Sequence, residues 1–162
     1  MKEMTEQQAL SALAALCSRS EHCTGDVLLK LERWGIDQDA RQRIVDYLIS
    51  NKYVDDLRYA RLFVFDKLKF NKWGRRRIAE AMWAKHVPSD IQAEALSLLS
   101  DDDYADVLLP LLKSKARSVK ASNDYERAMK LMKFAAGRGF DTSVIRRCLD
   151  EMCSLDECGY ED

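Results

Sequence analysis

Three consecutive arginines, Arg75–Arg77, stand at the predicted start of an amphipathic helix in the segment NKWGRRRIAEAMWAKHV, residues 71–87. A helix N-terminus carries partial positive charge, so each cation placed there costs roughly 0.3–1 kcal/mol. A guanidinium group binds phosphate or carboxylate well, and Arg76 shares a flank of the helical wheel with the aromatic Trp83. The triplet therefore indicates an anion-binding surface. The alternative is that Arg75 lies along the apolar seam of the helix and Trp83 packs against a neighbouring unit.

The elements that carry these residues are predicted to be helices. Apolar residues recur with helical spacing along almost the whole chain, and no stretch alternates convincingly at period two. The composition, 47% hydrophobic and 33% charged with only two prolines, is that of a helical globular protein. The pattern predicts nine helices, and Pro110 is expected to kink or split the seventh. Their predicted bounds are 5–19, 24–34, 38–51, 55–70, 73–85, 89–100, 101–117, 122–137 and 142–152.

Three helix ends read as copies of one joint. We call Trp34–Asp37 the first joint, Lys85–Pro88 the second and Arg138–Asp141 the third; they lie at spacings of 51 and 53 residues. Each has a residue able to adopt the left-handed conformation, then an apolar residue, then an Asp or Pro that begins the next helix. His86 is the strained member, because glycine adopts that conformation more readily.

Superposing the joints predicts an all-α chain of three tandem three-helix repeats forming an elongated, curved array. In this register the arginine triplet corresponds to Thr24–Asp26 in the first repeat and to Ala128–Lys130 in the third. The architecture therefore does not require arginines at that place. The predicted divisions are repeat 1 at 1–53, repeat 2 at 54–100, repeat 3 at 101–153 and an acidic tail at 154–162.

The net charge of −1 hides an uneven distribution. Residues 58–85 hold nine Lys or Arg and residues 113–133 hold seven, whereas residues 150–162 hold six acidic residues and no basic one. Basic segments of this kind indicate a polyanionic partner contacted through phosphates, although solvated helix faces would give the same pattern. We predict that Asp55 and Asp56 cap the fourth helix. The predicted binding residues are Arg58, Arg61, Lys72, Arg75, Arg76, Arg77, Trp83 and Lys85, with a secondary basic patch at Lys113, Lys115, Arg117 and Lys120.

Other chemistry finds little support in the sequence. It contains no phosphate-cradling glycine loop and no zinc-type cysteine pair, and the five-residue spacing of Cys148, Cys153 and Cys158 would scatter the sulfurs around a helix. We therefore predict a non-enzymatic protein without a metal or cofactor. The start of the chain does not resemble a signal peptide, no apolar run is long enough to cross a bilayer, and five cysteines suggest reduced thiols, so we expect a cytoplasmic monomer.

Residues 54–87, VDDLRYARLFVFDKLKFNKWGRRRIAEAMWAKHV, resemble the signature of the RecX family of regulators of the RecA recombinase. The likeness extends over the whole chain and includes RAMKLMKFAAGRGFDTSVIRRCL near its end. The chain departs from the family pattern at His86, where glycine is usual, and at Pro110, which interrupts a helix of the third repeat. The matching positions are Asp55, Asp56, Arg58, Tyr59, Ala60, Phe63, Val64, Trp73, Gly74, Arg76, Arg77, Ile78, Lys85, His86 and Val87.

The resemblance implies three tandem three-helix repeats and a function. Members of this family bind in the groove of the RecA–DNA filament and restrain filament growth, ATP hydrolysis, strand exchange and the co-protease role of the filament in the SOS response. The expected partners are therefore RecA and single- or double-stranded DNA, in DNA repair and homologous recombination. Two alternatives stay open: a helical protein that binds DNA without sequence preference, and a scaffold that binds only proteins.

Overall fold

The computed structural model describes residues 4–158, with side chains as far as residue 154. All regular structure in this part of the chain is helical, as predicted. Seven helices match their predicted bounds to within two residues, whereas α6 ends earlier and α9 extends six residues further than predicted. The last four residues of the predicted acidic tail lie outside the described residues. The helices are α1 Glu6–Arg19, α2 Thr24–Arg33, α3 Gln38–Ser50, α4 Asp56–Lys69, α5 Arg75–Ala84, α6 Ser89–Leu96, α7 Asp101–Ser118, α8 Asp124–Gly137 and α9 Thr142–Cys158.

Side-chain caps fix several helix starts. Thr5 and Gln8 form a capping box on α1, in which each side chain accepts a hydrogen bond from the backbone N–H of the other. Ser100 and Asp103 form the same box on α7. The carboxylate of Asp37 accepts from the N–H of Ala40 at 2.9 Å and starts α3.

The third repeat differs from the other repeats at the start of α8 and from one expectation at Pro110. Asn123 caps α8 through the N–H of Glu126 at 2.8 Å, but the Glu126 carboxylate turns to the N–H and hydroxyl of Ser122 instead of completing a box with Asn123. Pro110 does not split its helix, because α7 is continuous from Asp101 to Ser118. The ring of Pro110 is exposed, and the long apolar stripe of α7 on the opposite face, including Leu108 and Leu112, stays buried.

The chain divides into two compact units, residues 1–63 with 81–95 and residues 64–80 with 96–162. In the first unit, α1, α2 and α3 enclose a core that includes Leu13, Leu31, Ile44 and Leu48. In the second, α7 packs against α8 and α9. The buried residues of that unit include Val64, Leu68, Ile78, Leu108, Leu112, Leu131, Phe140, Val144 and Ile145. None of the described helices combines the length and apolarity needed to cross a membrane.

Candidate interaction surface

The three joints are built by the same backbone hydrogen bonds. Each left-handed residue, Gly35, His86 or Gly139, has a positive φ of 73°, 60° or 92°. The apolar residue after it donates its N–H to a carbonyl one turn back in the helix, at 3.1 Å for Ile36, 3.1 Å for Val87 and 3.2 Å for Phe140. These are Schellman-type helix ends, and the apolar residue is buried at each of them. The repeated joint predicted from the sequence is confirmed.

In the first unit, the start of α2 packs on the second joint; we call this the first contact. The thiol of Cys23 lies 3.6 Å from the carbonyl oxygen of Lys85, and a Cβ added at Gly25 would overlap that oxygen. The Lys85 ammonium donates to Asp26 at 2.9 Å, and this hydrogen bond raises the pKa of Lys85. Only glycine leaves room for the helix start to come this close.

The first contact also reassigns one of the predicted caps. Asp55 caps α4 as predicted, since its carboxylate accepts from the N–H of Arg58 at 3.0 Å. Asp56 was predicted to share that task, but its carboxylate accepts from the N–H of Thr24 at 2.7 Å. It therefore caps α2, a helix more than thirty residues earlier in the chain. The side chain of Cys23, the residue before α2, makes no capping hydrogen bond, which is why a cap from elsewhere is useful.

In the second unit, the start of α5 packs on the third joint; we call this the second contact. The N–H of Gly74 donates to the carbonyl of Arg138 at 2.9 Å, and the N–H of Arg76 donates to the carbonyl of Gly139 at 3.1 Å. Gly74 and Gly139 both lie where a side chain would collide with the opposite backbone, Gly74 with Phe140 and Gly139 with Arg77. Two free N–H groups of the helix start thus find carbonyl acceptors.

The arginine triplet lies at this second contact, and all three side chains are engaged there while staying solvent-accessible. Arg75 donates to the carboxylate of Asp141 at 2.9–3.0 Å, a hydrogen bond that raises the pKa of Arg75. Arg76 donates to the carbonyl of Ala136 at 2.7 Å, at the negative C-terminal end of α8. A carboxylate and a helix C-terminus therefore offset the cost of cations at the start of α5.

Arg77, the third arginine, stacks on Trp73. Its guanidinium carbon lies 4.4 Å from the ring centroid, and the Lys67 ammonium lies 5.1 Å from the same ring. Arg138 adds a further link, because it donates to the carbonyl of Asn71 at 3.0 Å. The Trp-Gly-Arg-Arg-Arg stretch thus secures one helix start to the α8–α9 joint.

The other predicted binding residues differ in how far they are engaged. Arg58 forms a 2.7 Å ion pair with Glu21, and Arg61 lies 3.7 Å from Glu94. Trp83 does not pack inside the protein, since 76% of it is exposed. Lys72 is exposed, has a left-handed backbone with φ 55°, and its side chain has no partner among the described residues.

The secondary basic patch lies along the last turns of α7 and the segment after them. Lys115 lies 5.1 Å from the ring of Phe134. The side chains of Lys113, Arg117 and Lys120 are exposed and make no hydrogen bond or ion pair with any residue whose side chain is described. These three cations, with Lys72 and Trp83, are the predicted site residues that the protein itself leaves most available.

Gly25 and Gly74 were missed by the sequence reasoning as contact residues. The available signal was a glycine at the first turn of two predicted helices, where side chains with capping oxygen atoms are usual. The opposite side of each contact lies about sixty residues or more away along the chain, so local patterns do not reveal it.

Comparison with known proteins relates this chain to one family. Residues 55–96 match the second three-helix domain of RecX and residues 101–149 match the third. The chain is 29% identical to the regulatory protein RecX of Prosthecochloris aestuarii, covering 94% of this chain and 98% of that protein. It is 26% identical to the regulatory protein RecX of Lactobacillus johnsonii over 93% of this chain, but spans only 56% of that protein's length.

The fold is also found among solved structures. The crystal structure of RecX from Lactobacillus salivarius superposes with a TM-score of 0.84 at 20% identity, covering 90% of this chain and 95% of that one. The two matched domains contain the second contact on both of its sides, from Gly74 to Phe140. Together they account for more than half of the sequence, and the chain belongs to the RecX family.

Proposed function

We propose that this protein is a non-enzymatic cytoplasmic regulator that binds the RecA–DNA filament and restrains its ATPase, recombinase and co-protease activities. The observation that carries the proposal is the match of residues 55–96 and 101–149 to successive RecX domains. Relatives that cover most of this chain bear the name regulatory protein RecX, which supports a regulatory role. Contact with DNA is proposed to go through phosphates, because the available cations are exposed lysines and arginines.

In this proposal the arginine triplet also binds the partner, in addition to its contacts within the protein. A guanidinium group has five N–H donors, and the described contacts of Arg75 and Arg76 use only some of them. Both side chains are exposed, so their remaining donors can meet a phosphate or carboxylate of the partner. Removing the triplet would also loosen the second contact, which makes it a poor test of binding by itself.

The sharper test uses residues that the fold does not need. We expect this protein to inhibit the DNA-dependent ATPase of the RecA from its own organism at well below one molecule per RecA protomer. Lys72→Ala and Trp83→Ala should each weaken that inhibition. Arg33→Ala and Tyr125→Ala are the matched controls, because each removes an exposed cation or aromatic side chain outside the proposed site.

Two results would contradict the proposal. Unchanged RecA activity together with salt-sensitive binding to bare DNA would favour a general DNA-binding protein, since counterion release makes such binding fall steeply with salt. Unchanged RecA activity without DNA binding would favour a scaffold that binds only proteins.

A further inference from the structure

A groove between α8 and α9 is apolar in the third repeat alone. Its floor consists of Met129, Met132, Ala136 and Ile145, and its volume is about 480 Å³. At a spacing of 53 residues the same places in the second repeat hold Arg76, Ala79, Trp83 and Gln92. Two positions that are polar there have become apolar here, so the repeat architecture does not account for this groove.

Basic residues border the groove. Lys133 lines its rim and is exposed, and Arg146, which directly follows Ile145 in α9, is also exposed; neither has a partner among the described side chains. The rim also carries Lys130 and Glu126, which pair with each other at 3.1 Å. The unpaired charge at the rim is therefore positive.

The far end of α9 has the opposite character. Past Cys148 no described residue of α9 is buried, yet the helix continues to Cys158. Residues 150–157 contain Asp150, Glu151, Asp156 and Glu157 and no basic residue. Acidic residues near a helix C-terminus are unfavourable, because the helix dipole already places negative charge there.

The helical seam of α9 links these two features. Thr142, Ile145, Leu149 and Met152 follow one another at intervals of three or four residues and so share a face. The first two line the groove, and the last two are only half-buried. Because the acidic turns belong to the same helix as the groove-lining residues, they cannot fold back onto the groove of their own molecule.

We propose that α9 pairs with α9 of a second copy of this chain in an antiparallel, two-fold arrangement. The acidic end of one helix then lies along the apolar groove of the other, against Lys133, Arg146 and the positive N-terminal end of the partner helix. Leu149 lies near the two-fold axis. Reciprocal exchange uses the same surface on both molecules, so the assembly closes as a dimer and replaces the expected monomer. We expect a weak interface, with a dissociation constant of about 10–100 μM.

The test is the mass of the full chain by sedimentation equilibrium between about 1 μM and about 1 mM, a range that brackets that affinity. We expect reversible dimerisation that weakens as salt rises. The groove variant Lys133→Glu/Arg146→Glu and the tail variant Asp156→Lys/Glu157→Lys should each raise the dissociation constant by about tenfold or more. An equimolar mixture of the two should associate again, because the reversed charges then match.

The control is Lys113→Glu/Arg117→Glu on α7. It changes the net charge by the same amount as the groove variant, but on exposed residues outside the proposed interface, and it should leave dimerisation intact. Circular dichroism checks that each variant is folded. A wild-type chain that stays monomeric throughout the range overturns the proposal. So does dimerisation that persists in both the groove and tail variants, or a mixture that fails to associate.

Discussion

Gly25 and Gly74 lie at the starts of α2 and α5, where each lets a helix start approach the backbone of a later joint. The side chains that complete the two contacts differ. The first contact has a buried thiol, Cys23, and one lysine–aspartate pair. The second has three arginines, directed at a carboxylate, a helix C-terminus and an indole ring.

The charges are also reversed between the two contacts. In the first, the helix start carries the acid, Asp26, and the joint carries the base, Lys85. In the second, the helix start carries the base, Arg75, and the joint carries the acid, Asp141. The close backbone approach is therefore the shared requirement, and the arginine run is one of two different ways in which it is completed.

The largest effects on stability are expected when the glycine at either close backbone approach is replaced. Gly25→Ala and Gly74→Ala should each lower the free energy of unfolding by about 2–4 kcal/mol, because the new Cβ overlaps backbone that cannot move aside. Urea unfolding of the purified variants measures the loss. Gly137→Ala is the control, since a Cβ there meets nothing within 4 Å. Losses below about 0.5 kcal/mol at either glycine would show that the contact tolerates a side chain.

A smaller effect is expected from the left-handed residues of the joints. His86→Gly should raise the free energy of unfolding by about 1 kcal/mol, because it relieves strain in the second joint. Gly35→Ala should lower it by a similar amount from strain alone, as no atom lies within 4 Å of its added Cβ. Thermal and urea unfolding of the two variants should move in opposite directions. Destabilisation by His86→Gly would mean that the imidazole contributes a contact of its own.

The smallest effect on stability is expected from the two ion pairs whose charges are reversed between the contacts. Double-mutant cycles for Asp26–Lys85 and Arg75–Asp141 should each give a coupling of about 0.5 kcal/mol, because both pairs are partly solvent-exposed and screened. The coupling should decline as the salt concentration rises. A coupling at Arg75–Asp141 well above that at Asp26–Lys85 would show that the arginine run does more for the second contact than the repeat requires.

The helices and joints could be predicted from the sequence because they depend on local chemistry. Thr5, Asp37 and Ser100 are capping residues at recognisable positions, and Gly35 and Gly139 follow apolar helical periods. The end of α9 could not be predicted because the sequence of its last turns lacks the apolar spacing that marks the other helices.

The partners of the candidate site residues could not be predicted in the same way. Asp56 caps α2 and Arg75 meets Asp141 only because distant segments are brought together by packing. A run of three arginines indicates that positive charge is needed at this position. It does not show whether the guanidinium groups contact the protein itself or a partner. The exposure of Lys72 and Trp83 distinguishes residues left available for a partner from residues used by the fold. That exposure can be read only from the three-dimensional structure.

Gly35 bears on how a chain of this kind could be lengthened. Its joint has the same backbone as the two that receive a helix start, yet a Cβ added at Gly35 would meet no atom within 4 Å. At the other end, α8 begins four residues earlier than the register of α5 requires, and the place of Gly74 is taken by Arg127. If a unit were duplicated ahead of the first, the start of its second helix could pack on the Gly35 joint. A unit added after the last could receive no such contact until the start of α8 had changed. Growth by duplication is directional in this architecture.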